Sequence, residues 1–207
     1  MRLVLASASP RRADLLRAAG YAFETLVVDI DERLHAAESP EDYVARLARE
    51  KSAAAMQRFV QRAQTCGGPD RTGVHDVVVL GADTTVVADG EILGKPADDR
   101  DSERMLRKLS GRRHEVLTGI SLRTSAAERG RVVTTTVYMN PLTADDIKWY
   151  VASGEGRDKA GGYAVQGLAS RFIPRIDGSY ANVVGLPVSA VAELLRELAS
   201  IGSSGLF

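Results

Sequence analysis

Short β-rich runs alternate with helix-start signals along almost the whole chain, and this alternation restricts the fold more than any other feature. The first run, residues 2–6, gives way to "SPRRADLL", where Ser9 suits a helix N-cap and Pro10 the first helical position. That helix reads as 10–19, with Gly20 as its stop. "FETLVVDI" (23–30) reads as a second strand. The next helix opens "SPED", with Ser39 as N-cap and Asp42 closing an approximate capping box, and continues through "YVARLAREKSAAAMQRFVQRA". Residues 64–76 lack periodicity and read as a mobile loop. "VVVLGADTTVVADGEIL" is β-rich and carries an Asp-Gly pair at 89–90, which predicts a hairpin. A helix is expected over 99–109, ending near Gly111. "EVLTGISLRT" and "RVVTTTVYM" read as strands joined by a polar turn. Thr143 opens a short helix, and a last helix is expected over 188–199, followed by a tail at 203–207 expected to fray. Interleaved strands and helices, with no repeat and no separating linker, predict an α/β protein with a mixed sheet.

Composition narrows the partners. Lysine plus arginine and aspartate plus glutamate both total 27, so the formal net charge is zero. No global field draws the chain to nucleic acid or to an anionic membrane, and any anion site must be local. The lone Cys66 cannot form an internal disulfide. No stretch approaches the ~20 apolar residues of a membrane span. The opening "MRLVLASA" is too short for a signal-peptide core, with Pro10 and Arg11 following at once. A cytoplasmic location is expected.

Several residues sit where their type is unfavourable. Arg11 and Arg12 fall in the first turn of a helix, where the helix dipole favours acids; an anion on the helix end would make them sensible. Lys51 falls on the apolar stripe formed by Val44, Leu47, Ala48 and Ala55. Its ammonium either snorkels to water or points into a cleft. Asp83 interrupts the most strand-like run of the chain, either because the strand breaks at Gly81 or because the carboxylate serves a metal ion or proton transfer. Lys95, between Gly94 and Pro96, and Glu32, after the second strand, are weaker signals. The histidines at 35, 75 and 114 have no ligand spacing, which argues against zinc. There is no G-x-S-x-G, no Walker motif and no G-x-G-x-x-G. Four cations with two carboxylates suit a metal–polyphosphate ligand, which leaves hydrolase, transferase and binding protein all open.

"LASASPRR", the Asp31-Glu32 pair, "YVARLAREKS", "GADTTV", "GKP", "DKAGGYAVQG" and "YANVVGLP" resemble, in order, the motifs of the Maf-like nucleoside triphosphate pyrophosphatases. The resemblance implies one two-lobed domain over 1–202, with an elongated mixed sheet and a central cleft similar to the inosine triphosphate pyrophosphatase fold. It implies metal-dependent (Mg or Mn) hydrolysis of nucleoside triphosphates to monophosphate and pyrophosphate, and a possible homodimer. By the same resemblance Asp83 is the catalytic base and, with Glu32, a metal ligand. Lys51 and Lys95 match the phosphate-binding lysines, and Ser7 and Arg12 the phosphate-side loop. Arg11, Thr84 and Gln166 match positions linked to base choice. Glutamine at 166 resembles the branch acting on dTTP and UTP, with modified pyrimidine nucleotides as further candidate substrates; the 7-methylguanosine triphosphate branch would carry glutamate. The family's association with septum formation leaves a nucleotide-sensing regulator as the alternative. One feature conflicts: adjacent strand residues face opposite sides, yet Asp83 and Thr84 should both meet one nucleotide. A bulge or strand end near Gly81 would reconcile them.

Overall fold

The computed structural model describes residues 1–65 and 76–203. Its strands are β1 (Arg2–Ala6), β2 (Phe23–Thr25), β3 (Val77–Ala88), β4 (Glu91–Leu93), β5 (Arg113–Arg123), β6 (Glu128–Tyr138) and β7 (Arg175–Asp177). Its α-helices are α1 (Pro10–Ala18), α2 (Pro40–Thr65), α3 (Asp99–Leu109), α4 (Ala144–Ala152), α5 (Tyr180–Val184) and α6 (Val188–Ser203). The strands form one seven-stranded sheet in the order β2-β1-β3-β5-β6-β7, with β4 paired to β3. Pairing of β1 with β2 and with β3 is parallel, whereas β3–β4 and β6–β7 are antiparallel, so the sheet is mixed as the alternation predicted. Most of the expected loop, 66–75, and residues 204–207 of the expected tail lie outside the described residues. Among the described residues, no helix is long and apolar enough to cross a membrane.

The described chain divides into two compact units. Among the described residues, the first comprises 1–65, 76–83, 119–132 and 186–203, and the second 84–118 and 133–185. A core of Val4, Ala6, Ala55, Met56, Val77 and Val79 lies in the first. Val86, Leu93, Leu106, Leu109, Tyr150 and Phe172 belong to the larger core of the second.

Local signals placed most elements within a residue or two. Asp89 and Gly90 both have positive φ, 53° and 78°, which makes the tight turn of the β3–β4 hairpin. Gly20 stops α1 in the left-handed region at φ 80°. The Thr143 side chain and Asp146 form a reciprocal capping box on α4. At α2, Asp42 N–H donates to Ser39 Oγ, but the Asp42 carboxylate takes the Ser39 hydroxyl. β2 stops at Thr25 instead of reaching residue 30, because its partner runs out: Thr25 pairs with Leu5, and β1 ends one residue later. His114 is a core residue, with its Nε2 2.7 Å from the Tyr163 hydroxyl; burial pulls its pKa down to about 4, so it stays neutral.

Of the two alternatives left open for Asp83, the strand break at Gly81 does not occur. β3 runs unbroken through Gly81, which pairs with Ala6. Glycine is there for close approach: a Cβ would stand 2.1 Å from the Ala48 carbonyl oxygen and 2.7 Å from Ser52 N. Gly119 on β5 does the same one helical turn away, with its Cβ position 2.2 Å from the Val44 carbonyl oxygen. Helix α2 therefore lies backbone-on-backbone against the first unit's strands.

Candidate active site

The close approach of α2 sets the chemistry of the first unit. Val44, Leu47, Ala48 and Ala55 are fully buried, so Lys51 on the same stripe enters the packed face instead of reaching water. Its ammonium lies 2.7 Å from Asp83 Oδ1 and 2.7 Å from Glu32 Oε1. The side chains of Lys51 and Asp83 are only 11% and 13% exposed, whereas that of Glu32 is 52% exposed. Asp83 thus remains inside β3, and a buried cation compensates the carboxylate. Asp83 Oδ2 accepts no hydrogen bond among the described residues.

Arg12 is buried beside this group. Its Nη1 donates to Ser7 Oγ at 3.0 Å and to the Ala82 carbonyl at 2.9 Å, tying the β1–α1 loop to β3 next to Asp83. Burial lowers the Arg12 pKa, and neighbouring Arg11 adds to that; the Asp83 and Glu32 charges oppose it. Ser7 Oγ also accepts from Ser9 N–H, so its proton remains to donate elsewhere. Helix α1 begins at Pro10 with no side-chain cap and no acid in its first turn, and Arg11 there is half-buried. The unfavourable charges at this helix start therefore divide. Arg12 organises the loop, and Arg11 stands at an N-terminus suited to an anion.

Two residues that the sequence did not single out hold the segment around Glu32. The Tyr43 hydroxyl donates to the Glu32 carbonyl at 2.9 Å. Burial, then the charges of Asp83 and Glu32, push the Tyr43 phenol up to about 12, which keeps it a donor. Arg46 donates to the Arg33 carbonyl and, through Nε, to Glu38 Oε1 at 2.6 Å. Both sit in the first turns of α2, where polar residues signal only a solvated helix start.

The second unit carries Thr84, Lys95 and Gln166. Thr84 Oγ1 is 3.0 Å from Thr118 Oγ1 and donates to the Gly185 carbonyl at 3.3 Å. Lys95 is exposed in the turn after β4, and the preceding Gly94 carbonyl accepts from Gly161 N–H. Gln166 is exposed on a turn whose neighbours Ala164 and Val165 are buried. The backbone closes that turn, Gly167 N–H to the Ala164 carbonyl, and among the described residues the Gln166 side chain makes no hydrogen bond.

A mixed α/β sheet carries, in the first unit, a buried lysine bridging two carboxylates, a grouping whose charges suit oxygen-rich ligands. The sequence profile described as Maf-like protein matches residues 2–198, and the chain belongs to that family. It is 46% identical to the dTTP/UTP pyrophosphatase of Vibrio parahaemolyticus, over 95% of this chain and 97% of that one. It is 47% identical to the dTTP/UTP pyrophosphatase of Hahella chejuensis (95% and 92% covered) and 48% identical to that of Anaeromyxobacter dehalogenans (94% and 93%). Among solved structures, the Staphylococcus aureus Ham1 protein overlaps 67% of this chain and 72% of its own at 16% identity, with a TM-score of 0.43.

Proposed function

We propose that this chain hydrolyses dTTP and UTP to the nucleoside monophosphate and pyrophosphate, with Asp83 as general base. The observation that carries the reading is the Lys51 ammonium 2.7 Å from both Asp83 and Glu32. It joins a largely buried carboxylate, one of whose oxygens accepts no hydrogen bond among the described residues, to a cation that can take phosphate oxygens. Family membership and the names of the relatives support the same reading.

Asp83 Oδ2 orients a water and takes its proton as the water oxygen bonds to the α-phosphorus. The bond from that phosphorus to the α–β bridging oxygen breaks, and pyrophosphate leaves with the bridging oxygen and its electron pair. Lys51, Lys95 and the Ser7 hydroxyl bind phosphate oxygens as charge accumulates on the leaving group. Arg12 keeps Ser7 and the α1 start in place.

The residues also fit a hard divalent cation, Mg²⁺ or Mn²⁺. Glu32 and Asp83 offer carboxylate oxygens on either side of one ammonium. Among the described residues no three His, Cys, Asp or Glu side chains form a cation-binding group. That donor set suits an ion which completes its shell with water and substrate phosphate. Such an ion, held by Glu32 and Asp83, neutralises triphosphate charge when bound.

Gln166 reads the base. Uracil and thymine present an N3–H donor beside carbonyl acceptors, and an exposed primary amide can both accept and donate against that edge. Incubating the protein with UTP and resolving the products tests the reaction. UMP with pyrophosphate is expected. UDP with inorganic phosphate would overturn the cleavage site, and tight binding without turnover would favour a nucleotide-sensing regulator.

A further inference from the structure

The Gln166 side chain makes no hydrogen bond of its own among the described residues, so its position depends on the backbone that carries it. One carboxylate grips that backbone on both flanks. Glu155 Oε1 accepts from Leu168 N–H at 2.9 Å. Its Oε2 accepts from the Tyr150 hydroxyl at 2.8 Å, and the same hydroxyl oxygen accepts from Ala164 N–H at 3.0 Å. Residues 164 and 168 bracket Gln166. Tyr150 is 1% exposed in the last turn of α4, so this clamp is anchored in the second unit's core. Glu155 is itself fastened: its N–H donates to Ser153 Oγ, and its carbonyl accepts from Lys159 Nζ.

Gly167 completes the arrangement. A Cβ there would stand 2.0 Å from Glu155 Oε1 and 2.8 Å from Oε2, so the carboxylate lies where any side chain would go. A carboxylate suits the role because both oxygens accept. An amide at the same place either turns its NH₂ to Leu168 N–H and loses that bond, or turns it to Tyr150, whose hydroxyl must then accept a second bond and leaves its own proton without the carboxylate.

We infer that Glu155 is a positioning residue for pyrimidine discrimination: through Leu168 and Tyr150 it fixes the turn that presents Gln166 to the base. The inference rests on the reading of Gln166 given above. It goes beyond that reading in assigning base choice to a residue that never touches the nucleotide.

The test compares kcat/KM for UTP and for GTP in the wild type, Glu155→Gln, Gln166→Ala and the double variant. Glu155→Gln is expected to lower the UTP/GTP ratio roughly tenfold, mainly by raising KM for UTP. The double variant is expected to be no less selective than Gln166→Ala alone, since Glu155 acts through Gln166. Equal losses on both nucleotides, or additive losses of selectivity in the double variant, would overturn the inference. A Gln166→Ala variant as selective as wild type would overturn the reading of Gln166 itself, and this inference with it. If Gln166→Ala loses selectivity and Glu155→Gln keeps it, the positioning role alone fails. Should Glu155→Gln not fold, Tyr150→Phe carries the same comparison, because it removes only the hydroxyl between the carboxylate and Ala164.

Discussion

The charged group of the first unit and the Gln166 turn of the second are built in opposite ways. In the first, the side chains proposed to act on the substrate also hold one another: Lys51 bridges Asp83 and Glu32, and Arg12 binds Ser7 and the backbone beside Asp83. In the second, the proposed reader is exposed and makes no side-chain hydrogen bond among the described residues, and other residues hold only its backbone. Chemistry on a polyphosphate demands charges fixed before the substrate arrives, because reorganising them during reaction would raise the barrier. Reading a base demands free donors and acceptors, since a side chain already bonded within the protein has nothing left to offer. The glycines repeat the contrast. Gly81 makes room for helix backbone, whereas Gly167 makes room for the end of a side chain.

Substitutions that break this contrast rank by size. Asp83→Asn keeps shape but removes the base, and kcat is expected to fall by ~10²–10⁴-fold with nucleotide binding still measurable by calorimetry. A near-native kcat would take Asp83 out of the reaction. Gly81→Ala places a methyl carbon 2.1 Å from the Ala48 carbonyl, which can be relieved only by moving α2. Denaturant unfolding is expected to show a loss of about 3 kcal/mol, and activity falls as Lys51 shifts. Gln166→Glu presents an acceptor-only group to the pyrimidine edge. The UTP/GTP ratio of kcat/KM is expected to drop by roughly one to two decades, and an unchanged ratio would leave Gln166 as scaffold. Gly167→Ala should be mildest for the fold, costing about 1 kcal/mol, because the Glu155 carboxylate can swing aside; the UTP/GTP ratio still declines. If Gly167→Ala unfolds the protein as Gly81→Ala does, the contrast between the two glycines is wrong.

How far these features were legible in the sequence depends on the reach of each signal. Asp83 and Lys51 stood out because each violates a local pattern, an acid in a β-run and a cation on an apolar stripe. The hairpin at Asp89-Gly90 and the α4 cap at Thr143 follow from backbone preferences a few residues long. Gly81 left the choice between a strand break and a continuous strand open, since a glycine in a strand can read as a break until the helix that packs against it is known. The length of β2 depended on where its partner ends, which local propensity does not encode. Tyr43 and Glu155 left no local trace. Tyr43 meets a backbone carbonyl eleven residues back, and Glu155 meets one N–H thirteen residues ahead. Gln166 was found only through family resemblance, because an exposed glutamine in a turn is ordinary in every local respect.

Isotope tracing asks whether the charged group around Asp83 directs water to the α-phosphorus. UTP is hydrolysed to completion in ¹⁸O-enriched water, and the products are weighed by mass spectrometry. The label is expected in the phosphate of UMP and none in pyrophosphate, with the rate of incorporation collapsing in Asp83→Asn. Label in pyrophosphate, or in inorganic phosphate released beside UDP, would contradict it.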